Sequence, residues 1–192
     1  MFLGAIPLSE KIYLSNKTLV NAEDLKVGDK VLSLKILDED IKDSIDFYEK
    51  YIKENKQVDN FQLSEATVYS VYLDKESRGK FVKMGNQFVH HGQYIATAMS
   101  EERVFSKENP PILDFYKSWT VPHIKGLTNI KIVKLKKDFS TLDLEDFTIF
   151  DYQDFDSTEE LLESDSVSIN IVGGHFYFTE NFILFAGGDS SW

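Results

Sequence analysis

The chain has 192 residues, enough for one domain with a substantial core, and its 15 Phe and 9 Tyr are too many for a mainly disordered protein. A formal net charge of −11 makes DNA, RNA and anionic membrane surfaces unfavourable partners, because like charges repel. The absence of Cys excludes disulfides, thiolate metal sites and a Cys nucleophile, and no apolar run approaches the ~20 residues that span a bilayer.

The first third of the chain predicts short strands joined by polar turns. Residues 11–14 have the pattern of a strand, Asn16 and Lys17 favour a turn, and Gly28 can supply a positive φ in a second turn. Between residues 38 and 57, apolar residues recur at three- to four-residue spacing among charged ones, which is typical of an amphipathic helix. We interpret this segment as a helical insertion within a single domain that spans residues 1–192.

The rest of the chain predicts mostly β structure, because aromatic and β-branched residues dominate its apolar segments. Arg78 and Gly79 are expected to turn the chain into a hairpin whose second strand is residues 81–84. Further strand patterns lie at residues 66–73, 93–99 and 130–135, and in a terminal hairpin over residues 167–185. The sequence therefore predicts a mainly β fold.

Two motifs lie at opposite ends of the chain. Residues 22–33 have the sequence AEDLKVGDKVLS, residues 172–178 have VGGHFYF, and residues 181–185 have NFILF. The first resembles the segment IEDLKVGD-x-VLS of hedgehog/intein (Hint) domains, which cut or splice their own backbone. The other two are similar to that family's Gly-x-His turn, aromatic strand and final strand beginning with Asn. The resemblance implies a compact, all-β Hint-like fold into which residues 38–57 are inserted.

The resemblance also implies where a Hint reaction takes place, and the N-terminal positions lack the required groups. The family begins with a Cys or Ser that attacks the preceding carbonyl, and Ala5 stands at this position, where a methyl group cannot act as a nucleophile. A T-x-x-H element polarises the scissile peptide in the family. Thr97 retains the hydroxyl, but Ser100 stands in place of the His, and a hydroxyl cannot fill the acid–base role of imidazole near neutral pH.

The C-terminal positions show the same loss. The family ends with a His followed by an Asn whose side chain cyclises onto its own carbonyl, and alignment from Asn181 places Ala186 and Gly187 there. His175 is retained in the Gly-x-His turn, where we expect it to hydrogen-bond the neighbouring strand. Few residues follow Gly187, so little is expected to remain for splicing. We therefore expect no catalytic residue and regard all six aligned positions as vestigial.

No other group of residues predicts a metal site, a cofactor or an enzyme. His90 and His91 are adjacent, so in an extended segment their side chains point to opposite faces. Residues 151–156 contain three Asp but lack the central Gly of a calcium loop, and we expect an acidic surface loop there. The chain also lacks a Gly-rich phosphate loop, a G-x-S-x-G motif and an H-E-x-x-H motif.

An inactive Hint scaffold is best interpreted as a structural or interaction protein whose partners are other protein subunits, without nucleic acid or membrane. The helical insertion and the aromatic residues Phe115, Tyr116 and Trp119 are candidate contact surfaces. By analogy with small folds reused in phage structural proteins, we expect a component of a bacteriophage virion, at the tail, neck or capsid, assembled in the host cytoplasm.

Two alternative functions also follow from the resemblance. A residual self-processing domain would use Ser9 or Ser100 together with His175. A ligand-binding module would use the vestigial cleft, where Thr97, Ser100 and His175 are expected to converge.

Overall fold

The computed structural model describes residues 5–36, 61–90, 92–99, 113–120, 130–146 and 162–187. The strands among them are β1 (Ile6–Pro7), β2 (Lys11–Tyr13), β3 (Leu19–Asn21), β4 (Lys30–Ile36), β5 (Phe61–Met84), β6 (Gln87–His90), β7 (Tyr94–Met99), β8 (Leu113–Thr120), β9 (Ile130–Leu135), β10 (Leu142–Asp146), β11 (Leu162–Val172), β12 (Phe176–Phe178) and β13 (Leu184–Ala186). One short 3-10 helix covers Ala22–Asp24. The prediction of a mainly β fold is confirmed, whereas the helix predicted at residues 38–57 lies outside the described residues.

The strands form two larger sheets and a small one. The first sheet has the order β1-β11-β5-β4, with β6 paired to the far end of β5. The second has the order β10-β9-β7-β13-β12, with β8 paired to β7. β2 and β3 form the small sheet, which a bridge between Ile12 and Thr179 joins to the chain just after β12. Within the described residues, no helix has the length and hydrophobicity of a membrane span.

The polar turns predicted near the N-terminus are confirmed. Lys17 has a φ of 67°, and the Asn16 side chain beside it accepts a hydrogen bond from the Thr18 N–H at 3.1 Å. Gly28 has a φ of 98°, a conformation that glycine adopts without steric cost. Its N–H donates to the carbonyl of Val68 at 2.7 Å, so this turn lies against β5.

The turn predicted at Arg78 and Gly79 is wrong, because β5 continues without interruption through both residues. Gly79 lies opposite Ser164 of β11, so pairing with a strand distant in sequence holds this part of β5 extended. The chain turns instead at Gly85, which has a φ of 62°, and Asn86, and the second strand of the hairpin is β6. The local preference of Arg78 and Gly79 for a turn is overcome by strand pairing with β11, which cannot be recognised from the sequence.

The terminal hairpin of β12 and β13 is buried on both faces. Successive side chains of a strand point to opposite faces, and here each face meets a different apolar core. Tyr177 and Phe185 belong to one core, with residues of β1, β5 and β11. Phe176, Phe178 and Leu184 belong to the other, with residues of β4, β9 and β10. The hairpin therefore lies between the two cores and connects the sheets.

Candidate functional site

The fold brings the two ends of the described chain onto one strand, β11. Ile6 lies opposite Val167, and the N–H of Ile171, four residues further along, donates to the carbonyl of Gly187 at 2.8 Å. Ala5 precedes β1 directly and is buried. The positions that the resemblance assigns to the two ends of a Hint reaction, Ala5 and Gly187, are therefore both held against β11.

The space around Gly187 is filled by Tyr177. A Cβ atom added to Gly187 would lie 2.7 Å from Cε1 and 2.9 Å from Cδ1 of Tyr177, and 3.2 Å from the carbonyl oxygen of Ile169. The Tyr177 ring is fully buried and packs against Phe185 with 6.0 Å between ring centroids. No residue with a side chain, and thus no Asn, fits at position 187 unless this buried ring or the β11 backbone moves.

The hydroxyl of Tyr177 is not a candidate acid or base near neutral pH. Burial raises the pKa of this group well above its usual value, and the nearby carboxyl of Glu10 raises it further. The phenol is therefore neutral, and we interpret Tyr177 as a packing residue beside Gly187.

Gln93 supplies the polar side chain that reaches this part of the chain. It lies in the turn between β6 and β7, is only 1% exposed, and its Nε2 donates to the carbonyls of Tyr94 at 2.9 Å and Ala186 at 3.0 Å. No role was expected for this residue from the sequence, because its contact with Ala186 joins positions that are 93 residues apart.

The segment proposed for the T-x-x-H element lies elsewhere. The backbone of Thr97 is inside β7, opposite Asp114 of β8 on one side and Ile132 of β9 on the other. Thr97 is two residues from Ile95, which pairs with Phe185. Ser100 lies outside the described residues, so the expected convergence of Thr97, Ser100 and His175 on one cleft stays a prediction.

His175 is buried in the turn between β11 and β12. Its ring packs edge-on against Phe176 with 4.7 Å between centroids, and its carbonyl accepts a hydrogen bond from the N–H of Gly187 at 2.9 Å. The expected contact between this turn and the neighbouring strand is therefore made by the backbone of His175. Next to it, the hydroxyl of Ser33 donates to the carbonyl of Phe176 at 2.6 Å and joins the two motifs that carry the Hint resemblance.

We refer to Gln93, His175, Tyr177, Ala186 and Gly187 as the Gly187 site. In this site Nε2 of Gln93 donates to the carbonyl of Ala186, the N–H of Gly187 donates to the carbonyl of His175, and an aromatic ring occupies the space beside position 187. These contacts hold the backbone in place. Ser9, the other candidate hydroxyl, is exposed in the loop between β1 and β2.

A second group of polar side chains lies near Tyr177 around the buried Glu10, and we call it the Glu10 cluster. Glu10 is 6% exposed and shares a hydrogen bond with the Gln87 side chain. Gln87 Oε1 accepts hydrogen bonds from Thr179 Oγ1 at 2.7 Å and Asn181 Nδ2 at 3.1 Å. Burial raises the pKa of Glu10 from 4.5 to about 7, the Gln87 hydrogen bond lowers it, and the charge of Glu180 raises it.

An open cleft of about 820 Å³ lies beside the Glu10 cluster. Its wall includes Gln87, Glu180 and Asn181, residues of β9 and β10 such as Lys134 and Asp143, and the turns at residues 85–86 and 136–138. His175 is not among the residues that line it, and the side chain of Thr97 and all of Ser100 lie outside the described residues. The ligand pocket expected from the sequence therefore stays a prediction. Among the described residues, no three His, Asp or Glu side chains are grouped so that they could hold a metal ion.

The fold is that of inteins. The DnaB intein from Synechocystis sp. PCC 6803 superposes with a TM-score of 0.51 at 11% identity, over 95% of this chain and 98% of that chain. A mutated Ssp DnaB mini-intein superposes with a TM-score of 0.55 at 10% identity, over 97% and 94%. No protein-family model matches the sequence, and neither does any curated protein. The prediction of a Hint-like β fold is thus confirmed, and similarity at this identity establishes the fold alone.

Proposed function

We propose that this chain is a non-catalytic structural protein that uses a Hint-type fold as a scaffold for contacts with other protein subunits. The observation that carries the proposal is the Gly187 site. The fold holds Ala5, Ala186 and Gly187 where the family resemblance places reactive residues, yet none of the three has a group that could attack or cyclise.

The packing around Gly187 is a second observation that supports the proposal, in addition to the absence of a reactive side chain at this position. Because the Tyr177 ring lies 2.7 Å from where a Cβ atom would be, the position cannot accept a reactive side chain by a single substitution without disturbing the core. The packing therefore supports a scaffold without the splicing reaction. Gln93 adds to this support, since its hydrogen bond to the carbonyl of Ala186 holds the backbone directly before Gly187.

Exposed apolar residues on β5 and β11 support a role in protein contacts. Tyr69, Tyr72 and Leu73 of β5 and Val172 of β11 are all exposed, and Val27 is exposed in the turn that hydrogen-bonds Val68. We call these five exposed residues the β5–β11 patch, in which Tyr72 and Leu73, as consecutive strand residues, point to opposite faces of the sheet. Exposed apolar residues are a common component of protein–protein contact surfaces. The side chains of Phe115, Tyr116 and Trp119, the surface expected from the sequence, lie outside the described residues.

We place this scaffold in a bacteriophage virion, with the tail, neck or capsid as the site of assembly. The acidic, Cys-free composition supports an assembly formed through protein contacts, because it disfavours nucleic acid and lipid partners. This part of the proposal rests on analogy with phage structural proteins.

Intact mass spectrometry tests the absence of processing. The purified chain is incubated for several days at 37 °C, and its mass is compared with that of an Ala5→Cys variant. We expect an unchanged mass of 22.1 kDa for the natural chain. A product cut near Ala5, Ser9 or Ala186 would show that the scaffold retains self-processing and would contradict the proposal. Mass spectrometry of virions that carry the gene is expected to find the chain at full length in stoichiometric amounts.

Substitution of the β5–β11 patch tests the contact surface. A Tyr72→Lys variant is expected to reduce incorporation into the particle, whereas a Tyr94→Lys variant, at an exposed tyrosine of the other sheet, is expected to leave it unchanged. Equal incorporation of both variants at equal folded stability would show that the patch is not a contact surface.

A further inference from the structure

Glu10 is a buried carboxyl group whose hydrogen-bonding capacity is only partly satisfied. Its Oε1 atom is inaccessible and has no hydrogen-bond partner, although Gln87 bonds to the side chain. A carboxyl buried in this way strongly favours its neutral form, because an ionised oxygen without partners loses the stabilisation of water.

The groups facing Glu10 do not offset a negative charge. Glu180 is close enough to repel it, Tyr177 is a neutral phenol, and Gln87, Thr179 and Asn181 are uncharged. No Lys, Arg or His of the described residues pairs with Glu10. Ionisation of Glu10 therefore places an uncompensated charge within the core, beside a second carboxylate.

The cluster also joins three segments that are distant in sequence. Glu10 lies in the loop between β1 and β2, Gln87 begins β6, and Thr179 and Asn181 follow β12. The backbone adds a hydrogen bond from the Glu180 N–H to the carbonyl of Lys11 at 2.9 Å. Any rearrangement that relieves a charge on Glu10 must move one of these segments.

We propose that the Glu10 cluster is a proton-operated lock, which holds the loop between β1 and β2 against β6 and β12 when the Glu10 carboxyl is protonated and loosens it when the carboxyl ionises. The loop is the partner that moves, because it follows β1, a strand of only two residues. Its movement must break the hydrogen bonds from the Glu10 N–H to the carbonyl of Pro7 at 3.0 Å and from the Ala22 N–H to the carbonyl of Glu10 at 2.8 Å. Gln87, by contrast, begins a hairpin strand, and Thr179 follows a strand buried on both faces.

The lock is close to the Gly187 site through Tyr177, whose ring contacts position 187 and whose hydroxyl is near enough to Glu10 for that charge to raise the pKa of the phenol. The loop also follows β1, which carries the Ala5 end of the chain onto β11. Opening of the loop therefore loosens the pairing of β1 with β11 at neutral and alkaline pH. The pKa of Glu10, raised by burial to about 7, puts the change close to neutrality. This inference goes beyond the proposed function and does not depend on it.

Hydrogen exchange of the full-length chain tests the lock. Exchange is measured at pH 5.5, 7.0 and 8.5 and corrected for intrinsic amide rates. We expect the loop and β2, residues 8–13, to lose protection by roughly tenfold or more across this range, since a group shifted by one pKa unit changes its equilibrium tenfold. The β9–β10 hairpin is expected to keep its protection at all three pH values.

Two variants separate the lock from a general effect of pH. Glu10→Gln keeps the size and hydrogen bonding of the side chain without the charge, so protection of residues 8–13 is expected to become independent of pH. Glu23→Gln, at an exposed carboxyl in the nearby 3-10 helix, is expected to behave like the natural chain. The same pH dependence in Glu10→Gln and in the natural chain would overturn the proposal.

If the Glu10→Gln variant does not fold, titration of Glu10 in the natural chain tests the lock instead. The ¹³C carboxyl resonance assigned to Glu10 in the natural chain is expected to titrate near pH 7, together with the amide resonances of Gln87 and Thr179. A Glu10 midpoint at the ordinary value of 4.5 would overturn the proposal, whatever the behaviour of the variant.

Discussion

The Gly187 site and the Glu10 cluster both lie close to Tyr177, and they are stabilised by different means. At Gly187, the space is filled by an aromatic ring and the polar contacts go to main-chain carbonyls. In the Glu10 cluster, side chains from three segments hydrogen-bond to one another around a carboxyl group. The conformation of the Gly187 site is determined by side-chain packing, whereas that of the Glu10 cluster depends on the protonation of Glu10. Substitutions in the first are expected to change stability equally at all pH values, whereas those in the second are expected to change its pH dependence.

Truncation of the Tyr177 ring, which is close to both regions, is expected to have the largest effect. Tyr177→Ala removes a fully buried aromatic side chain and should lower the free energy of unfolding by about 3–5 kcal/mol. Tyr177→Phe keeps the ring and is expected to cost less than about 1 kcal/mol. Urea unfolding of both variants provides the measurement. A loss of similar size in both would mean that the hydroxyl, and not the ring, is the main contribution of Tyr177.

The second prediction concerns the Glu10 cluster and its dependence on pH. The folded state raises the pKa of Glu10 from 4.5 to about 7, so folding favours the protonated form. The contribution to stability is fully present below about pH 4.5, falls as the pH rises to about 7, and is constant above that. The shift corresponds to about 3 kcal/mol. Urea unfolding at pH 4.5, 6 and 8 is expected to show this decrease in the natural chain.

Glu10→Gln is the matched variant for that measurement. It should unfold with a smaller dependence on pH and should be more stable than the natural chain at pH 8, because a neutral amide replaces a buried carboxylate. Glu23→Gln, which changes an exposed carboxyl, is expected to leave the profile unchanged. If Glu10→Gln were less stable than the natural chain at pH 8, Glu10 would be stabilising as an anion and the contrast between the two regions would fail.

Substitution of Gly187 itself tests whether packing against Tyr177 restricts the residue at position 187. Gly187→Ala places a methyl group 2.7 Å from the Tyr177 ring and is expected to cost about 1–3 kcal/mol. Gly92→Ala is the control, since its nearest neighbour, Nδ1 of His90, would lie 3.4 Å away. In a Tyr177→Ala background, Gly187→Ala should cost less by at least about 1 kcal/mol, because the added methyl occupies the cavity. Additive effects would mean that the ring is not what restricts position 187.

The sequence predicted the fold better than it predicted the contacts of the site. The motifs at residues 22–33 and 172–185 are local patterns, and the structure joins them through Ser33 and Phe176. Ala5 and Gly187 were assigned from the resemblance because each adjoins a terminal motif, and their equivalence to the reactive positions stays a prediction. Gln93 was missed because its role depends on Ala186, which is 93 positions further along the chain.

The Glu10 cluster was not visible in the sequence for a related reason. Glu10, Gln87 and Asn181 each have the appearance of ordinary surface residues, and such residues are usually exposed. The burial of Glu10 and Gln87 follows from how β6 and the turn after β12 cover the loop between β1 and β2, which is a property of the sheet arrangement. The turn wrongly predicted at Gly79 has the same origin, since pairing with β11 decided the conformation there.

The smallest expected effect belongs to Gln93, and it tests whether the polar contacts of the Gly187 site are structural. Gln93→Leu keeps the approximate volume but leaves the carbonyls of Tyr94 and Ala186 without this donor, at an expected cost of about 1–2 kcal/mol. Gln62→Leu, at an exposed position of β5, should change stability by less than about 0.5 kcal/mol. Because Gln93 binds only neutral carbonyls, its effect should be the same at pH 5 and pH 8, in contrast to that of Glu10. If the loss of stability grew with pH, Gln93 would be coupled to an ionising group. The Gly187 site and the Glu10 cluster would then form one polar network.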